Sequence, residues 1–71
     1  MSVDKAIGQL LKDAREDLEL TQSDLSKKVH MPQYKISRVE NGRISLKVYE
    51  IKIFAEALGK VFVFAFVPKD K

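Results

Sequence analysis

The link VHMPQ, residues 29–33, constrains the fold more than any other stretch of the chain. Pro32 has no N–H and a fixed φ, so it cannot continue a preceding helix, yet it suits the first turn of a new one. Upstream, Thr21 is a good N-cap, Asp24 puts a charge in the first turn, and Leu25 and Val29 form a buried stripe. Downstream, Ile36 and Val39 recur at helical spacing behind Met31, and Asn41-Gly42 supplies the left-handed residue that ends a helix. The spacing therefore predicts two short helices, one opened by Thr21 and one from about Gln33 to Glu40, joined by three or four residues.

Around that pair the chain offers a scaffold. Ile7, Leu11, Ala14 and Leu18, widened by Leu10, predict a helix from about Val3 to Asp17. Gly8 weakens it slightly and leaves room for a close neighbour. Ser45 is expected to cap a fourth helix that runs to Leu58 and stops at Gly59. Val48, Ile51, Phe54, Ala55 and Leu58 form one stripe on it, and Leu46, Tyr49 and Ile53 form a second on another face; two apolar faces need two partners. The segment VFVFAFV, residues 61–67, reads as a β-strand, and nothing else reads as a second one. The expected fold is mainly α: a bundle of about four to five helices with one C-terminal strand. Residues 1–59 form the helical domain and residues 60–71 the strand and tail.

Composition bounds the chemistry. At 71 residues the chain is one domain near the lower size limit for folding on a hydrophobic core alone. It has no Cys and a single His30, with no ligand spacing for a metal, so neither metal nor cofactor is expected and no nucleophile–base pairing suggests an enzyme. The longest apolar run is seven residues, far short of a membrane span, and the N-terminus lacks a signal-peptide pattern, so a cytoplasmic location is expected. The net charge is +3, but its distribution matters more. Residues 1–20 are acidic on balance, whereas residues 21–45 carry Lys27, Lys28, Lys35, Arg38 and Arg43 against Asp24 and Glu40.

The second short helix offers Gln33, Tyr34, Lys35, Ser37 and Arg38 outward, with Ile36 and Val39 inward. This is the sequence form of a helix-turn-helix, whose second helix lies in the DNA major groove. Arg or Lys donates to guanine O6 and N7, Gln pairs with adenine, and Ser or Tyr bonds base edges or phosphates. From spacing alone, the solvated face of an ordinary surface helix is an equal reading.

The segment TQSDLSKKVHMPQYKISRVENGR resembles the helix-turn-helix of the phage repressor and Cro family, the lambda-repressor-like or XRE family. Thr21, Gln22, Leu25, Ser26, Val29, Met31 and the run from Ile36 to Gly42 carry the likeness, with SRVENG its most specific part. The resemblance implies that Gln22 bonds a DNA phosphate and braces the first residue of the reading helix. Gln33, Tyr34, Lys35, Ser37 and Arg38 are then in or beside the groove, and Asn41 and Arg43 meet the backbone just past that helix. Arg15 and Glu40 match a structural ion pair of the family. Two positions depart from the pattern: His30 stands where a Gly usually takes positive φ, and Pro32 replaces a Ser or Thr cap.

The tail extends the resemblance to antitoxin regulators of the HipB type, and more loosely of the HigA type. It implies a homodimer on a palindromic operator, autorepression, and a cognate toxin as partner. Paired antiparallel across a two-fold axis, the strand places Val61, Val63, Ala65 and Val67 on one face and Phe62, Phe64 and Phe66 on the other, with Leu46, Tyr49 and Ile53 receiving one of them. A stand-alone repressor of a phage or mobile element, and a protein-interaction module that has lost DNA binding, are the alternatives.

Overall fold

The computed structural model describes residues 2–70 and contains four helices: α1 (Val3–Asp17), α2 (Gln22–Val29), α3 (Gln33–Glu40) and α4 (Val48–Ala57). Met1 and Lys71, the outermost positions of the two expected segments, lie outside the described residues. Local chemistry starts three of the helices. The Ser2 hydroxyl accepts the Lys5 N–H and opens α1. Thr21 opens α2 with a reciprocal capping box: its Oγ1 accepts the Asp24 N–H at 3.0 Å, and Asp24 Oδ2 accepts the Thr21 N–H at 2.9 Å. The Thr21 N–H first, and the Thr21 side chain second, hold the Asp24 carboxyl below its ordinary pKa. Pro32 opens α3 through its fixed φ, with no side-chain cap.

The fourth helix departs from expectation. It begins at Val48 after Lys47, so Ser45 does not cap it. The Ser45 hydroxyl instead donates to Asp4 Oδ2 at 2.6 Å, tying the loop to the start of α1. A charge-assisted bond outweighs a neutral cap. Glu50 starts α4 in its place, with Oε1 accepting the Lys47 N–H at 3.0 Å.

All four helices stop in the same way. Leu20, Met31, Arg43 and Lys60 each donate a backbone N–H to a carbonyl five residues earlier, at 3.2, 3.0, 2.9 and 2.8 Å. The residue before each donor is left-handed: Glu19 at φ 57°, His30 at 56°, Gly42 at 70° and Gly59 at 68°. This is the Schellman stop. Gly serves it without strain, whereas Glu19 and His30 pay for a Cβ there. Since His30 is exposed, His30→Gly should stabilise the fold by up to about 1 kcal/mol, read as a rise of a few degrees in melting temperature.

Leu11, Leu25, Val29, Ile36, Val39, Phe54 and Leu58 form the core. α3 lies against α1 and α2, and α4 packs on α2. Gly8 marks the crossing of α1 and α3, where a Cβ would run into the Val39 carbonyl oxygen and lie 3.0 Å from that of Glu40. The close approach expected at Gly8 is therefore real, and it seats the last turn of α3 directly on α1.

The strand expected at residues 61–67 does not form; among the described residues the chain after Gly59 has no regular structure. The physical reason is the one that made it a puzzle. A strand exists by its hydrogen-bonded ladder, and a single copy of this chain supplies no second strand to pair. Phe62 is half-buried, with its ring 5.5 Å from that of Phe64. Val61, Val63, Phe64, Phe66 and Val67 are exposed, Phe66 completely so at 105 %. Among the described residues no helix is long and apolar enough to cross a membrane.

Candidate nucleic-acid interface

At about 100° per residue, positions 33, 34, 37 and 38 fall within one arc of α3 of about 140°. Ile36 and Val39 occupy the opposite side, and Glu40 flanks the arc more than one turn beyond Gln33; all three are buried. Gln33, Tyr34 and Arg38 are exposed and Ser37 is half-buried. The Arg38 guanidinium carbon lies 5.3 Å from the Tyr34 ring centroid, one helical turn away. Just past α3, Asn41 is exposed and its Nδ2 donates to the Ser37 carbonyl at 2.9 Å, closing the last turn. Arg43 stands exposed beyond it, and Lys27 and Lys28 are exposed in the last turn of α2.

A buried fork fixes the orientation of this face. Arg15 Nε donates to Glu40 Oε2 at 2.6 Å and Arg15 Nη2 to Glu40 Oε1 at 3.0 Å. A third bond runs from Arg15 Nη1 to the Leu20 carbonyl at 2.6 Å. Both side chains are almost wholly buried, and the bond to Glu40 raises the Arg15 pKa against the opposing cost of burial. Gln22 joins them: its Nε2 donates to Glu40 Oε1 at 3.1 Å. The brace expected of Gln22 is thus directed to the last residue of α3, with Gln22 half-buried. Residues from α1, α2 and α3 converge on one carboxylate, so the orientation of α3 is set by charge as well as by apolar packing.

Lys35 sits apart from its expected neighbours. It is half-buried, and its Nζ lies 2.9 Å from Glu50 Oε2 on α4. Its angular position on α3 borders Val39, which explains why it turns toward the body. Glu50 was not singled out from the sequence; a carboxylate three residues after a helix start was the available signal. The Glu50 pKa is held below its ordinary value, first by the Lys47 N–H and then by Lys35. A carboxyl lowered on folding adds stability above its unfolded value, about 4.3, and that stability is lost as pH falls through the lower folded value. Wild-type melting temperature should therefore fall in acid below about pH 4, and Glu50→Gln should remove part of that fall. Asp24 contributes with the same sign, so only a Glu50→Gln, Asp24→Asn pair should flatten it further.

The residues expected at a dimer interface fall into two groups. Leu46 is half-buried and packs against the core. Tyr49 and Ile53 are exposed on α4, and Val61, Val63, Phe64, Ala65 and Phe66 are exposed on the tail. Phe62 lines an apolar groove of about 280 Å³ together with Leu10 and Ala14 of α1 and Ile51 and Ala55 of α4.

A family model described as a helix-turn-helix domain matches residues 6–59. In structure, the chain is similar to the clp gene regulator ClgR from C. glutamicum, with a TM-score of 0.84 and 23 % identity over 86 % of this chain and 78 % of that one. It is also similar to apo-HppE, with a TM-score of 0.79 and 23 % identity over 84 % of this chain. That match spans only 34 % of the HppE chain. At such identities the likeness is one of fold. No curated protein sequence matches the chain.

Proposed function

The chain belongs to the helix-turn-helix domain family, and on that premise we propose that it is a sequence-specific double-stranded DNA-binding regulator, acting as a homodimer that represses its own operon. The role is regulatory and not catalytic, and its place is with the cytoplasmic nucleoid. One observation carries the reading. The exposed arc of α3 bears Gln33, Tyr34, Ser37 and Arg38, while the C-terminal end of the same helix is locked to the body through Glu40. Arg and Gln suit base edges, and Asn41, Arg43 and the α2 lysines suit phosphates at the margin. Two such helices related by a two-fold axis meet successive major grooves of a palindromic operator, roughly 34 Å apart.

A finer reading has the chain as the antitoxin of a toxin–antitoxin pair. That reading rests on the resemblance of the helix-turn-helix and apolar tail to HipB-type regulators, and a stand-alone phage or mobile-element repressor is its alternative.

Fluorescence anisotropy with a labelled duplex from the upstream region of the gene, against a scrambled duplex, tests the DNA reading. Tighter binding to the native duplex is expected, with affinity falling steeply as salt rises. No binding even at low salt would leave a protein-interaction module as the better account.

A further inference from the structure

We propose that Tyr34 is a positioning residue for Arg38, and that the pair presents one guanidinium edge to a guanine of the operator half-site; this rests on the DNA reading above. The two residues stand one turn apart on α3, both exposed, with the Arg38 guanidinium carbon 5.3 Å from the ring centroid. Among the described residues no carboxylate lies within ion-pair distance of Arg38, whereas Lys35, the other cation of α3, is committed to Glu50 at 2.9 Å. Arg38 is therefore the cation of the reading helix that remains available to a ligand.

A guanidinium held over the ring at this distance keeps the N–H groups that point away from the ring free to donate. All five N–H groups lie in the guanidinium plane and radiate from its edge. Holding the group over the ring removes rotamer freedom before DNA arrives, freedom that a free arginine loses only on binding. The fork then matches O6 and N7 of guanine, both acceptors. Adenine offers N7 beside an N6 donor, which opposes a second N–H. The ring thus acts through the arginine, and the base preference belongs to the pair.

The test selects duplexes from a random pool with the full chain, then replaces each guanine of the selected half-site by 7-deazaguanine, which lacks N7. Wild type should lose about tenfold in affinity at one guanine, within the range expected for a bidentate contact. Arg38→Ala should bind more weakly and be indifferent there. Tyr34→Phe keeps the ring and should keep the sensitivity, whereas Tyr34→Ala should lose most of it with melting unchanged, since Tyr34 is 62 % exposed. Lys35→Met with Glu50→Gln should leave the guanine effect intact. Undiminished sensitivity in Tyr34→Ala would overturn the positioning role. So would equal damage from Tyr34→Phe, because the hydroxyl itself would then be the contact. If wild type enriches no duplex, the DNA reading falls and this inference with it.

Discussion

Glu40→Ala should lower the melting temperature by on the order of 20 °C. The carboxylate receives two bonds from Arg15 and one from Gln22, and its removal leaves a buried guanidinium with only the Leu20 carbonyl as a strong partner. Breaking one side of a buried pair costs about 3–5 kcal/mol. In a domain of this size each kcal/mol moves the midpoint by about 4–8 °C. At about 0.05–0.15 kcal/mol per residue, the whole chain holds only a few to about ten kcal/mol, so the variant should be partly unfolded at growth temperature. Replacing both partners by apolar residues, as Arg15→Met with Glu40→Leu, should restore much of the loss, because no charge is then stranded. A single variant that melts within a few degrees of wild type would mean that the fork orients α3 without stabilising the fold.

The double replacement also separates stability from function. If the fork sets the angle of α3, the apolar pair should fold well and still bind operator DNA more weakly than wild type. Packing alone lets a short helix rotate or slide by fractions of a turn, whereas a planar two-bond fork fixes direction as well as distance. Equal affinity in the double variant would assign the angle to the Gly8 crossing, where the α1 backbone meets the Val39 and Glu40 carbonyls.

What could be read from the sequence was what is decided locally. Thr21 and Asp24 cap α2 from three residues apart, and Pro32 starts α3 through its own ring. The left-handed turn at His30 follows from the chain having to stop and restart within a few residues. Glu19 makes the same turn, but glutamate carries no preference for positive φ and gives no signal. The misplaced start of α4 has a longer range: Ser45 is a good cap by itself and is drawn off by Asp4, at the other end of the chain in sequence. Lys35 lies between these cases. Its angle on α3 already separated it from Gln33, Tyr34, Ser37 and Arg38, yet its partner Glu50 depends on how α4 folds back. The strand was legible as a composition, yet among the described residues none forms, because a single copy offers no second strand to pair with it.

That missing half gives the second large effect. Phe64→Asp should convert a dimer to a monomer in sedimentation and weaken operator binding about a hundredfold or more. In one copy, Phe64 is 62 % and Phe66 105 % exposed, beside Val61, Val63 and Val67 at 85, 80 and 81 %. Aromatic side chains bury about 150–250 Å² each, so the two phenylalanines and three valines match or exceed the largest apolar patch of a typical monomer, about 300–600 Å². An arm of that kind, with unpaired N–H and C=O groups, is an aggregation hazard unless something pairs with it. In the proposed homodimer a second copy would supply an identical arm, together with the exposed Tyr49 and Ile53 of its α4. An aspartate in that contact would place an unpaired charge in the apolar seam. Without the dimer, each reading helix engages its half-site alone and loses the effective concentration that linkage provides, a factor of about 10²–10⁴. A sedimentation mass unchanged by Phe64→Asp would remove the tail from the dimer interface and leave it for a different protein, and the affinity should then stay as in wild type.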